Sequence, residues 1–139
     1  MGLILDSSLL IADERGKFDM PGFLRQFPKA QPIIAAITVS ELLHGVERAQ
    51  DSARRSQRER HVEKVFSALT IQPFGIPQAR IHARIWADLE VRGQMIGPHD
   101  LLIAATGLAL DHDVATLNVK EFKRVTGLKV TDATAFMRG

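Results

Sequence analysis

The sequence predicts an α/β domain, a parallel sheet of about five strands flanked by helices on both faces. Three observations predict it. Short apolar runs of strand length alternate along the chain with longer segments of helical periodicity. The short runs are continuously apolar rather than alternating, which suits strands buried on both faces. The 139 residues, 45% hydrophobic and 24% charged, suffice for one core, and no repeat, linker or low-complexity segment divides them. One domain over residues 1–139 is therefore expected.

The elements follow in order. "LIL" at 3–5 is the first strand, and Asp6-Ser7-Ser8 leads from it into an apolar helical run. In "PGFLRQFPKAQ" the prolines 21, 28 and 32 and Gly22 confine helix to short pieces. "IIAAI" at 33–37 is the second strand. Thr38-Val39-Ser40-Glu41 then opens a helix through "LLHGVERAQ". Residues 52–68 continue as a charged helix, with Val62, Val65, Phe66 and Leu69 at helical spacing. "LTIQPF" is a third strand, ended by Gly75 and Pro77. "PQARIHARIWADLEVRG" is an amphipathic helix with a glycine stop at Gly93. Pro98 starts a further helix that carries Asp100 and ends near His112. "VATL" at 114–117 and "LKV" at 128–130 complete the sheet. Trp86 and the seven phenylalanines are expected in the core.

Composition narrows the function classes. No run of about 18 apolar residues is present, so no membrane-spanning helix is expected. The stretch "GLILDSSLLIA" is broken by Asp6 and has no basic leader, unlike a signal peptide. A cytoplasmic location is the expectation that follows. Without cysteine there are no disulfides and no thiolate metal sites. Only histidine and carboxylate remain as strong metal ligands. The net charge of +2 is too small to mark a nucleic-acid binder by itself. The basic residues of "VERAQDSARRSQRERHVEK" are interleaved with acids, which favours a solvated, salt-bridged helical surface over a dedicated phosphate track.

The acids are the informative residues. Ligands of open α/β sheets bind outside the carboxyl ends of the strands. Asp6 lies just past the first strand, Glu41 past the second, and Asn118 and Glu121 past the fourth. Asp100 opens the helix that precedes the fourth strand. Carboxylates delivered to one sheet edge repel one another, and a bound divalent ion relieves that repulsion. Oxygen ligands without cysteine or a histidine pair favour Mg²⁺ or Mn²⁺ over Zn²⁺. Each acid also has a local role open to it. Asp6 suits a helix cap, and Thr38-x-x-Glu41 reads as a capping box. Asp100 complements the dipole of its helix, and Glu121 suits a plain surface. The pairs His99-Asp100 and His112-Asp113 suggest a His-Asp phosphohydrolase, but that chemistry sits on all-helical frames. A phosphatase with an aspartate nucleophile wants a second acid where Ser8 stands, and no Gly-rich phosphate loop appears.

Three blocks, "LILDSSLLIA", "ITVSELLHGVERA" and "GPHDLLIAATGLALDHDVATLNVKEFKRVTGLKV", resemble the PIN-domain ribonucleases, specifically the VapC toxins of bacterial VapBC toxin–antitoxin pairs. Their order and spacing fit over nearly the whole chain. The resemblance implies a PIN-like fold and a Mg²⁺- or Mn²⁺-dependent endoribonuclease acting on tRNA or another structured RNA. It assigns metal binding to Asp6, Glu41 and Asp100. Many members have a further Asp where this chain has Asn118, a departure for which Glu121 is the candidate compensation. Ser8 and Thr116 match polar positions of the site. The resemblance also implies a homodimer and a VapB-like antitoxin that docks a segment into a groove of the toxin. The charged helices at 44–68 are candidates for the groove wall or for RNA contact. A PIN-like module that binds RNA or protein without cutting is the other reading left open, and Asn118 is the feature in its favour.

Overall fold

A computed structural model describes residues 2–139. Among these residues it shows five strands, all parallel: β1 (Gly2–Leu5), β2 (Gln31–Ala35), β3 (Thr70–Gln72), β4 (Asp113–Thr116) and β5 (Val130–Asp132). Their order is β3-β2-β1-β4-β5. The chain builds outward from β1 through β2 to β3, then crosses back to place β4 on the other side of β1. This reversal opens a crevice at the carboxyl ends of β1 and β4, where open α/β sheets bind ligands.

Strand β1 is buried along its whole length, as its continuous apolar run requires. Alternate side chains feed two cores. Leu3 and Leu5 pack with α1 (Ser7–Glu14), α2 (Met20–Leu24), α3 (Ala36–Glu47) and α4 (Ser52–Ala68). Ile4 packs on the opposite face with α5 (Ile76–Arg92) and α6 (Pro98–Leu110). Small residues let α6 lie close to the sheet. A Cβ added at Gly107 would stand only 2.9 Å from a Val114 methyl. Helix α5 stops at Gly93, whose φ of +63° is the left-handed cap that glycine adopts without strain.

Several expectations need correction. Helix α3 begins at Ala36, so β2 ends before Ala36-Ile37 and the Thr38–Glu41 capping box does not form. Ala35 occupies the cap position instead. Thr38 lies inside the first turn, fully buried, and its hydroxyl has no partner. An orphaned buried hydroxyl costs about 1–3 kcal/mol. Thr38→Val, which keeps the shape and removes that hydroxyl, is expected to raise the unfolding midpoint in urea without altering the slope.

The fifth strand lies two residues later than "LKV": the Lys129 carbonyl already accepts from Val114 N–H at 2.9 Å, but residue pairing with β4 starts only at Val130. Only Thr70–Gln72 of "LTIQPF" pairs, at the sheet edge. Helix α2 is one of the short helical pieces that the prolines leave room for, whereas α7 (Val119–Phe122) and a 3-10 turn at Thr134–Phe136 were not legible. Trp86 and Phe74 are not core residues. They are 46% and 39% exposed, and His82 lies between their rings. Phe18, Phe23 and Phe122 are fully buried as expected.

Candidate active site

The crevice between β1 and β4 gathers the predicted residues. Asp6 follows β1 directly, and its backbone N–H continues the ladder by donating to the Ala115 carbonyl at 2.9 Å. It occupies the cap position of α1, yet its carboxylate takes no backbone N–H. The side chain, 2% exposed, turns into the crevice instead. There Oδ2 accepts from Ser8 Oγ at 2.7 Å and from Thr116 Oγ1 at 2.8 Å. The capping role therefore does not account for Asp6.

The two hydroxyls are fixed in turn by the chain after β4. Leu117 N–H donates to Ser8 Oγ, and Asn118 N–H donates to Thr116 Oγ1 at 2.8 Å. Ser8 and Thr116, both singled out by the sequence, thus clamp the Asp6 carboxylate. Removing Thr116 Oγ1 would free one carboxylate oxygen and leave the Asn118 N–H without its acceptor. Groups that orient a metal-binding side chain typically matter 10- to 100-fold. If Asp6 holds a divalent ion, Thr116→Val is expected to raise the Mn²⁺ concentration that stabilises the fold half-maximally by that factor. An unchanged metal requirement would mean that Thr116 serves only packing.

Glu41 reaches the crevice from the second turn of α3. Its Oε1 accepts from Ser7 Oγ at 3.0 Å, and Ser7 Oγ also lies 3.5 Å from Asp6 Oδ1. Ser7 was not singled out from the sequence, although it stands beside Ser8 in "DSS". His99 Nδ1 is 3.5 Å from Glu41 Oε2, with its ring more than half exposed.

Asp100 sits in the first turn of α6, half-buried. Burial pushes its carboxyl up from the usual 3.8 to about 7. The negative charges of Asp6, Glu121 and Glu41, and hydrogen bonding to Glu121, push the same way. Glu121 lies on α7 and is held below its ordinary value. The Gly97 backbone N–H that donates to it is the main cause, with Asn118, Arg124 and Asp100 adding to it. Asn118 Nδ2 donates to Glu121 Oε2 at 2.6 Å. Asn118 therefore positions an acid rather than being one. Gly97 was missed as well, because a backbone donor leaves no mark in side-chain chemistry.

The structure thus assembles Asp6, Glu41, Asp100, Glu121, Asn118, Ser8 and Thr116 around one crevice. The donors are hard oxygens, and the negative charges of Asp6, Glu121 and Glu41 add to burial in disfavouring a further charge at Asp100. Both features fit a divalent cation. Among the described residues no three carboxylates or imidazoles stand at direct-ligand spacing. Mg²⁺ commonly retains several waters and is held by one or two carboxylates.

The PIN-domain family model matches residues 3–128. The chain belongs to the PIN-domain family. Ribonuclease VapC1 of Rickettsia felis is 43% identical over 130 residues, covering 94% of this chain and 95% of the relative. The tRNA(fMet)-specific endonuclease VapC of Salmonella typhimurium is 33% identical over 100 residues, 71% of this chain and 73% of the relative. The fold matches the VapBC2 structure from Rickettsia felis, bound to a promoter DNA fragment, with a TM-score of 0.87. That match has 25% identity and covers 95% of this chain and 98% of the other. VapBC-1 of nontypeable Haemophilus influenzae matches at a TM-score of 0.82 and 26% identity, covering 96% and 99%. Strand β1 from Leu3 on, the acids and the β4 crevice of this PIN domain lie inside the matched residues.

A groove of about 430 Å³ adjoins the site, between α1, α3 and α4. Ile11, Ile37, Leu42 and Val62 supply apolar walls, while Glu41 and His99 belong to the active-site side. The sequence pointed to the charged helices at 44–68 as a wall, and α3 and α4 do provide one. Among the described residues no helix is long and apolar enough to cross a membrane.

Proposed function

We propose that this PIN domain is a Mg²⁺- or Mn²⁺-dependent endoribonuclease, the toxin of a type II toxin–antitoxin pair. It hydrolyses phosphodiesters of tRNA or another structured RNA and so stops translation until an antitoxin neutralises it. The observation that carries this reading is the convergence of Asp6, Glu41, Asp100 and Glu121 on one crevice, where burial first and then the neighbouring negative charges push the Asp100 carboxyl up to about 7. Clustered negative charge works against an RNA ligand unless a cation stands between them.

Asp6, Glu41 and Asp100 would hold the ion, directly or through water. The bound ion supplies a water of lowered pKa and positive charge for the phosphoryl oxygens. Everything else is done by the chain. Ser8 and Thr116 fix the Asp6 carboxylate, and Ser7 bridges it to Glu41. The Gly97 N–H and Asn118 hold Glu121 ionised beside Asp100, where it can orient a water or take up a proton. Water as the attacking group leaves the RNA 2′-hydroxyl unused. The non-cutting reading rested on Asn118, and it loses that support because Glu121 keeps the negative charge at this corner.

A VapB-like antitoxin segment suits the groove beside Glu41, since an apolar floor with a charged rim fits an amphipathic segment. The toxin acts in the cytoplasm as a homodimer on this reading. The test is cleavage of total cellular RNA by purified protein in Mn²⁺ or Mg²⁺ against EDTA. Discrete metal-dependent fragments are expected, and Asp100→Asn is expected to produce none. Inert wild-type protein that still binds RNA tightly would favour the non-cutting module.

A further inference from the structure

A second cavity, of about 460 Å³, is lined by Glu14, Arg15, Lys17, Arg54, Gln57 and Arg58. It is continuous with the groove beside the active site, because Glu14, Arg15 and Arg58 line both. The structure sorts the many cations of this region into two kinds. Arg55 is taken up by Glu47 and Glu59. Arg58 is held by Glu14 at 3.6 Å and donates to the Gly45 carbonyl. Arg15, Lys17, Arg48 and Arg54 form no ion pair among the described residues. Arg15, Lys17 and Arg54 converge on the second cavity. Arg48 lines the groove, two helical turns and about 10 Å beyond Glu41 on α3.

Among the described residues unpaired cations occur elsewhere too, Arg60, Lys64, Arg80 and Arg84 among them. But Arg15, Lys17 and Arg54 share one concave site, and it shares Glu14, Arg15 and Arg58 with the groove that reaches Glu41. Gly45, which lines the groove, leaves it free of a side chain at that point. It sits inside α3, where glycine is a poor helix former, and a Cβ added to it would meet nothing within 4 Å. Free guanidinium groups in a concave site match phosphate oxygens, to which they donate in pairs.

We propose that the cavity between Arg15, Lys17 and Arg54 is an accessory phosphate subsite. It grips the RNA backbone several nucleotides from the cleaved bond and leads the strand along the α3 groove past Arg48 to Glu41. The inference rests on the endoribonuclease reading for its purpose, though not for its test. Each phosphate released from its cation on a single strand changes the salt slope by about 0.7. Losing two contacts should therefore flatten the plot of log Kd against log salt by about 1.4.

The probe is a fluorescein-labelled 12-nucleotide polyuridine RNA, its Kd read by anisotropy across a KCl series. Wild type, Arg15→Gln/Arg54→Gln and, as a control of equal charge change, Arg80→Gln/Arg84→Gln on α5 are compared. All four positions are exposed, so folding is expected to survive and circular dichroism verifies it. The Arg15/Arg54 pair should weaken binding about tenfold at low salt and flatten the slope, with the α5 pair near wild type. Equal losses in both pairs would mean unspecific attraction and overturn the subsite. So would an unmoved slope in the Arg15/Arg54 variant. A poly-glutamate peptide that binds with the same arginine dependence, while polyuridine binding is unmoved, would assign the cavity to an acidic protein segment and overturn it too. Cleavage of total RNA by wild type is scored separately. Failure there sinks the nuclease reading and leaves the binding result standing.

Discussion

Asp6→Asn is expected to reduce RNA cleavage by about a thousandfold while leaving the metal-free protein at least as stable as wild type. A thousandfold corresponds to about 4 kcal/mol of transition-state stabilisation, the scale expected when a metal ligand loses its charge. The fold should tolerate the change for three local reasons. The side chain does not cap a backbone N–H of α1. The amide has the same shape as the carboxylate and retains one acceptor oxygen for Ser8 and Thr116, while the hydroxyls can accept from its NH₂ group. Removing a charge from the cluster also relieves the repulsion on Asp100, of which Asp6 is the largest charged source. The measurement pairs cleavage in Mn²⁺ with a urea titration in EDTA. Activity within tenfold of wild type would remove Asp6 from the metal site. A marked loss of metal-free stability would make it a structural residue after all.

The sheet was legible because buried parallel strands write themselves as unbroken apolar runs, and all five were placed within two residues at either end. The boundary of β2 was misjudged for a physical reason. Ala36-Ile37 is as apolar as the strand before it, and nothing in composition separates a buried strand end from the first turn of a helix packed on the same core. The Thr38–Glu41 spacing then imitated a capping box. In the folded chain both residues lie inside α3, with Thr38 facing the core and Glu41 the crevice.

The acids were found because charge stands out in apolar surroundings and because their order follows the carboxyl edge of the sheet. What holds them was half legible. Ser8 and Thr116 carried a signal through resemblance to the PIN family, whereas Ser7 and the Gly97 N–H did not. Their roles depend on where a neighbouring loop comes to rest. The Asn118 departure looked like a weakened site until its amide was seen to hold Glu121. The charged helices at 44–68 were named as a possible groove wall, but the part that α1 plays in the groove was beyond reach, since it depends on how helices distant in sequence pack. So was the exposed placement of Trp86, because α5 presents apolar residues on more than its buried face.

The second large effect is a pH dependence with a definite sign. In the metal-free fold Asp100 titrates near 7, whereas in the unfolded chain it titrates near its ordinary 3.8. Between those values the unfolded state has released the proton and the native state has kept it. The unfolded state binds fewer protons there, so stability falls as pH rises through this window and levels off above about 7. Glu121 has the opposite sign, because its lowered value gives stability that is lost only as pH falls below the ordinary carboxylate range. It therefore does not mask the fall that Asp100 causes between the ordinary carboxylate range and about 7. Asp100→Asn keeps the histidines and removes the carboxylate, so the difference between the two stability curves isolates the effect. Because Asp100 is only half-buried, solvent screens part of the repulsion. The variant is expected to gain about 1–2 kcal/mol at pH 8, several degrees in Tm, and nothing at pH 4. A divalent ion should supply the same relief to wild type, by about 2.7 kcal/mol at a hundredfold excess over its Kd. In Asp100→Asn that stabilisation should be much smaller. Equal stabilisation of both proteins by Mn²⁺ would place the ion elsewhere, and parallel pH curves would show that the fold does not strain the Asp100 carboxylate.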